Sequence, residues 1–80
     1  MNADSTKANI DGLRADIQTT VKTILKLKPL ISKSTELPGT ADVPEMMANL
    51  TLAQRHLEDA RMRLGKVLQA MDGGTSVYDK

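Results

Sequence analysis

Apolar residues recur at every seventh position from Val43 to Met71: Val43, Leu50, Leu57, Leu64 and Met71. Met46, Ala53, Ala60 and Val67 fill the intermediate positions, so the stretch VPEMMANLTLAQRHLEDARMRLGKVLQAM carries two apolar residues per heptad. With about 3.6 residues per turn, such a repeat lays a continuous stripe along one side of a helix. It predicts a helix over about 43–71, the longest uninterrupted element of the chain and an interaction surface.

A second stripe precedes it: Ile10, Leu13, Ile17, Ile24, Leu27 and Ile31, with Thr20 standing where a further apolar residue is due. This predicts a helix over about 5–32 that packs on the first through these residues. Asn2, Asp4 or Ser5 could each cap its start by accepting a bond from a free backbone N–H. Gly12 costs roughly 1 kcal/mol relative to alanine inside a helix, so the helix could break there, with Asp11 capping the second piece. Pro29 lacks an N–H and its ring clashes with a carbonyl one turn back. The helix therefore stops near Lys28 or kinks, and the continuing apolar residues Leu30 and Ile31 favour a kink.

Between the stripes, 34–41 reads as a loop with a turn at Pro38-Gly39. Asp42 is placed to cap the long helix, with Glu45 three residues on at the capping-box spacing and Pro44 tolerated in the first turn. Asp72-Gly73-Gly74 ends that helix, because glycine adopts left-handed backbone conformations at little cost, and 72–80 forms a tail. A loop of this length reverses the chain direction. The expected fold is one all-α domain, an antiparallel helical hairpin with a Pro-kinked first helix.

Composition adds a constraint on stability. Eighty residues build a core worth only about 3–5 kcal/mol, and small domains usually add disulfides, a metal or self-association. The chain has no cysteine and a single histidine, so disulfides and a zinc site are excluded. Self-association remains. Leu52, Met62 and Leu68 add apolar surface that one partner helix cannot cover, and a homo-oligomer is expected. Met47, Leu52 and Leu68 also offer the surface for an alternative role, a small helical adaptor or inhibitor of a host protein. No apolar run approaches the ~18–20 residues of a membrane span, and the amino terminus lacks a signal-peptide core, so a cytoplasmic location is expected. A net charge of +1 argues against genomic DNA as partner. Residues 1–33 nonetheless carry six Lys or Arg against three Asp, which leaves local anion binding open.

Several side chains could do chemistry. Arg55, His56, Glu58, Asp59, Arg61, Arg63 and Lys66 crowd one half of the long helix. Arg55 with Asp59, and Asp59 with Arg63, have the spacing of solvated i,i+4 pairs worth about 0.2–0.5 kcal/mol each. The other reading has these cations converge at a subunit interface and hold phosphates. His56 has no nucleophile in a motif around it, and Glu58 and Asp59 are adjacent and so diverge, which argues against acid–base catalysis. No phosphate-cradling glycine loop is present, and no cofactor is expected. Lys22 and Lys26 share a helix face and could form a cationic rail. Tyr78, the one aromatic, could stack on a base or close over a neighbour's pocket.

The segment LTLAQRHLEDARMRLGKVL, at Leu50 to Leu68, resembles the small phage immune-evasion proteins that sequester cyclic-nucleotide signals, the anti-CBASS sponges and their anti-Thoeris relatives. The match lies in Leu52-Ala53, Leu57-Glu58, Ala60, Met62 and Leu64-Gly65-Lys66. The resemblance implies a compact homo-oligomer, often a hexamer, of interlocked helical hairpins in the host cytoplasm. Such proteins bind cyclic di- or trinucleotides without cleaving them. The chain departs from the family in carrying Ala48 where an arginine often precedes the motif, with Thr51 following, and in lacking an aromatic near its amino terminus. Together these readings give Lys22, Lys26, Thr51, Arg55, His56, Lys66 and Tyr78 as candidate ligand-binding residues, with no catalytic residue and no metal ligand.

Overall fold

A computed structural model of the chain describes residues 2–71, and within them two α-helices: α1, Ala3–Lys33, and α2, Val43–Met71. The tail 72–80, and with it the glycine stop and Tyr78, lies outside the described residues. α1 begins two residues before the expected start near residue 5, because Asn2 caps it: its Oδ1 accepts from the Ser5 N–H at 2.8 Å. The helix is continuous through Gly12, and the break that glycine would permit is not made. It passes Pro29 instead of stopping at Lys28, and closes with the Ser34 N–H donating to the Ile31 carbonyl at 3.1 Å.

The connection 34–42 turns at Pro38, whose carbonyl accepts from the Ala41 N–H at 2.9 Å. Asp42 then caps α2, its Oδ1 accepting from the Glu45 N–H at 3.1 Å. The capping box is half realised. The Glu45 carboxylate accepts from the Asn49 amide at 3.0 Å, one turn forward.

Contacts across the hairpin fix an antiparallel register: Arg14 with Arg61, Lys28 with Gln54, Ser32 with Met47. The central row of each helix turns inward as the heptads require: Ile10, Ile17, Ile24 and Ile31 on α1, and Val43, Leu50, Leu57 and Leu64 on α2. The neighbouring row differs from expectation. Leu13 and Leu27 do not pack under α2 but are 51% and 39% exposed, and the row one residue later, Arg14, Val21 and Lys28, takes the half-buried places. On α2 the corresponding row is Met47, Gln54, Arg61 and Leu68, all half-buried. Met47 and Leu68 thus belong to the hairpin seam, not to the outer surface.

Two antiparallel helices are related by an approximate twofold axis across their common seam, so rows with the same heptad offset emerge on the same side. One flank of the hairpin therefore carries Arg14, Val21, Lys28, Met47, Gln54, Arg61 and Leu68, and is mostly polar. The opposite flank carries Leu13, Thr20 and Leu27 beside Met46, Ala53, Ala60 and Val67, and is mostly apolar. Among the described residues only Ile10 is buried, at 8% exposure, while eight large apolar side chains are between 39% and 66% exposed. The molecule measures 53 × 26 × 16 Å, close to the ~46 Å length that ~1.5 Å per residue gives α1. Two helices of this length have a seam but no interior.

Candidate functional site

The polar flank is built by hydrogen bonds between the helices. Lys28 Nζ donates to Gln54 Oε1 at 3.0 Å, and the Gln54 amide in turn donates to Glu58 Oε1 at 2.9 Å. Arg14 Nε donates to the Arg61 carbonyl at 3.3 Å. The Arg14 guanidinium lies flat across Gly65, 3.5 Å from where a Cβ would stand. A bond to a main-chain oxygen leaves the rest of the guanidinium fork unused. These contacts explain how charged side chains occupy seam positions: their stems fill the row and their polar ends are bonded across it.

Between these two bridges lies a half-open cleft of about 360 Å³, lined by Gln18 and Val21 of α1 and Glu58 and Arg61 of α2. Its chemistry is a carboxylate and a guanidinium one helical turn apart, an amide facing them and an isopropyl wall. Arg61 Nε is a buried donor with no partner among the described residues. An unused buried N–H of this kind is costly unless something supplies an acceptor.

The candidates from the sequence divide between the faces. Thr51 is half-buried beside Gln54, its hydroxyl donating to the Met47 carbonyl at 3.0 Å. Lys22 and Arg55 are exposed and stand at matching levels on the outer edges of the polar flank, one heptad position beyond Val21 and Gln54. Lys22, Thr51 and Arg55 are therefore brought to the face that holds the cleft. Lys26 and Lys66 are exposed on the outer sides of α1 and α2, and His56 lies toward the apolar flank. These three do not join the others within one hairpin. Neither Arg55–Asp59 nor Asp59–Arg63 closes as an ion pair; among the described residues the one ion pair is Lys7–Asp11, at 3.0 Å. Nor do the described residues contain a cluster of His, Asp or Glu able to hold a metal.

The sequence places Glu58 and Arg61 only in the charged cluster of the long helix; their meeting with Gln18 in a cleft, and Arg14, Lys28 and Gln54 as its supports, are not foreseen by it. The available signal was heptad spacing beside the central apolar row, two heptads from Arg14 to Lys28 and one from Gln54 to Arg61. No described helix is long and apolar enough to cross a membrane. Comparison of the chain with known protein families, curated proteins and solved structures finds no match.

Proposed function

We propose that the protein is a non-enzymatic sponge that binds cyclic oligonucleotide immune signals in the host cytoplasm and withholds them from antiphage signalling. What carries this reading is the resemblance of Leu50 to Leu68 to the sponge family, on a helix whose cations have no partners across Arg55, Asp59 and Arg63. The two-helix hairpin architecture agrees with it. Sequestration needs no catalytic group: each ligand phosphate brings a negative charge, and charge-assisted bonds from several side chains hold it.

The working form is a homo-oligomer, with a hexamer the order implied by the resemblance. Its contacts use the apolar flank, where Leu13 and Leu27 stand over a floor of Ala53 and Ala60 that lets a neighbouring helix approach closely. A bend at Pro29 turns Leu30, 66% exposed in the single hairpin, toward that neighbour. Assembly also gathers what one hairpin keeps apart, bringing Lys26, His56 and Lys66 from different copies toward Lys22, Thr51 and Arg55.

The test is retention. The purified protein is incubated with a panel of cyclic di- and trinucleotides, freed of unbound ligand and denatured; intact nucleotide is then identified in the supernatant. Release of an unaltered cyclic nucleotide is the expected result, and no release from any panel member sinks the proposal. One observation favours a second reading, a helical adaptor binding a host protein: Leu52 and Met62 are 47% and 50% exposed on the outer side of α2, away from α1. An adaptor ignores nucleotides, whereas a sponge's melting temperature rises with ligand concentration.

A further inference from the structure

We propose that two copies of the hairpin dock apolar flank to apolar flank about a twofold axis parallel to the helices, closing an antiparallel four-helix bundle in which Asp16 of each copy pairs with Arg63 of the other. The proposal rests on the use of the apolar flank for assembly in the reading above and adds the arrangement that this flank takes; it needs no nucleotide.

The heptads leave half of their pattern unpartnered in one hairpin. The helices meet through the central row and through the row four residues after it, which holds Arg14 and Gln54. The row three residues after the central one stays on the open flank: Leu13, Thr20 and Leu27 on α1, and Met46, Ala53, Ala60 and Val67 on α2, with Leu13 51% and Val67 46% exposed. Central row and open row are the two inward positions of a helix bundle, so the pattern is complete only when two further helices cover the second of them. The same flank of a second copy presents bulk in complementary places. In the hairpin's own register Leu27 comes level with Ala53 and Thr20 with Ala60, so a large side chain meets a small one and the helices can approach closely. The broad face of the hairpin, with extents of 53 and 26 Å, exceeds the ~800 Å² per partner that a stable interface uses.

Charge selects the second copy and its orientation. Along the edges of the flank, one residue before each central position, α1 carries Asn9, Asp16, Thr23 and Leu30, and α2 carries Asn49, His56, Arg63 and Ala70, all exposed. One edge is thus acidic and the other basic, and Asp16 and Arg63 form no ion pair among the described residues. The register sets the two at one level: from the Ser32–Met47 contact, sixteen residues back along α1 and sixteen forward along α2 reach Asp16 and Arg63. With the axis parallel to the helices, α1 lies over α2 of the second copy, antiparallel to it and at unchanged level. Rows of the same offset then meet, so Asp16 faces Arg63, Thr23 faces His56, and Leu30, 66% exposed in the single hairpin, reaches Asn49 and Leu52. The twofold makes each contact twice. Turning the second copy end over end lays α1 on α1 and α2 on α2, which sets Asp16 beside Thr23 and His56 beside His56 and pairs no opposite charges. Flanking charges of this kind fix partner and orientation in helix bundles.

The experiment uses the full-length chain. Size exclusion with light scattering across micromolar dilutions compares the dissociation of wild type, Asp16→Arg, Arg63→Asp and the double reversal, with helical circular dichroism confirming that each is folded. Either single reversal sets like charges against each other twice per dimer and should weaken association about tenfold or more, whereas the double reversal should return to within about threefold of wild type. Disulfide trapping reads the geometry directly, because the chain has no cysteine of its own. Asp16→Cys mixed with Arg63→Cys should cross-link on mild oxidation into the mixed dimer, identified by its mass, while His56→Cys should not link to itself. A double reversal no tighter than the singles, absence of the mixed disulfide, or self-linked His56→Cys overturns the arrangement. Such a failure in an intact oligomer leaves assembly and nucleotide retention standing, and a protein that assembles in this way but retains no cyclic nucleotide refutes the sponge and leaves the bundle.

Discussion

Replacing Gly65 by alanine should stabilise the protein, and the hairpin geometry says by how much. Glycine inside a helix costs about 1 kcal/mol relative to alanine, because the unfolded chain has more conformations to lose. A Cβ at residue 65 would meet the Arg14 guanidinium at 3.5 Å, an ordinary contact distance, with no backbone of α1 in the way. The propensity gain should therefore be kept nearly whole. Gly12→Ala provides the control: a Cβ there meets nothing within 4 Å, so only propensity acts. Both variants should gain about 0.8–1 kcal/mol, a rise of about 4–8 °C in melting temperature for a domain of this size. The assay is thermal and urea unfolding followed by helical circular dichroism, at one protein concentration, because self-association makes the midpoint concentration-dependent. A larger side chain separates the terms. Gly65→Leu has a similar propensity advantage, but its Cγ and beyond must displace Arg14 and break the 3.3 Å bond to the Arg61 carbonyl, a loss of about 1.5–3 kcal/mol for a charged donor. That variant should be less stable than Gly65→Ala. If Gly65→Ala destabilises while Gly12→Ala stabilises, Arg14 does not lie over Gly65 as described.

Asp42→Ala removes the bond to the Glu45 N–H and should cost about 1 kcal/mol in urea unfolding; no change would mean that the start of α2 is held by something else. Pro29→Ala restores an N–H and relieves the ring clash in an exposed last turn, so a gain of about 1–3 kcal/mol is expected, and a loss would mean that the proline-shaped helix end is needed. Ala60→Leu places a bulky side chain on the floor of the apolar flank and should lower the mass seen by light scattering after size exclusion; a variant that stays fully assembled and equally heat-stable removes the close-packing argument. Wild-type protein should dissociate or unfold on dilution through the micromolar range, whereas a stably folded monomer at every concentration refutes assembly.

The two helices, their bounds near Lys33 and Val43 and the Asp42 cap were all legible from heptad spacing and capping chemistry. Such features depend on residues close in sequence. Which flank of the central row faces the partner helix was not legible. Leu13 and Leu27 make one flank look like the natural seam, and Arg14, Lys28, Gln54 and Arg61 make the other look solvated. In the fold the polar flank closes, because Lys28 finds Gln54 and Arg14 finds a carbonyl of α2, and pairings between residues far apart in sequence leave no mark in a periodicity. The cleft was hidden for the same reason, since Glu58 and Arg61 read as part of a charged helix surface until Gln18 and Val21 are set opposite them. Thr20 is a smaller instance: it interrupts the apolar stripe, yet its hydroxyl is satisfied by the Asp16 carbonyl one turn back at 3.0 Å.

The bridge between Lys28 and Gln54 also bears on how the chain avoids mispairing. A seam of Ile and Leu repeating every seventh residue is nearly indifferent to sliding one helix by a full heptad, about 10.5 Å at ~1.5 Å per residue, since each leucine simply meets the next isoleucine. The polar row is not indifferent. Slide α2 one heptad in one direction and Lys28 faces Arg61, cation against cation; slide it the other way and Lys28 faces Met47, its ammonium half-buried without an acceptor. Either error carries a penalty that the apolar contacts alone would not impose. A single amide opposite a single amine thus gives two otherwise interchangeable helices one correct alignment.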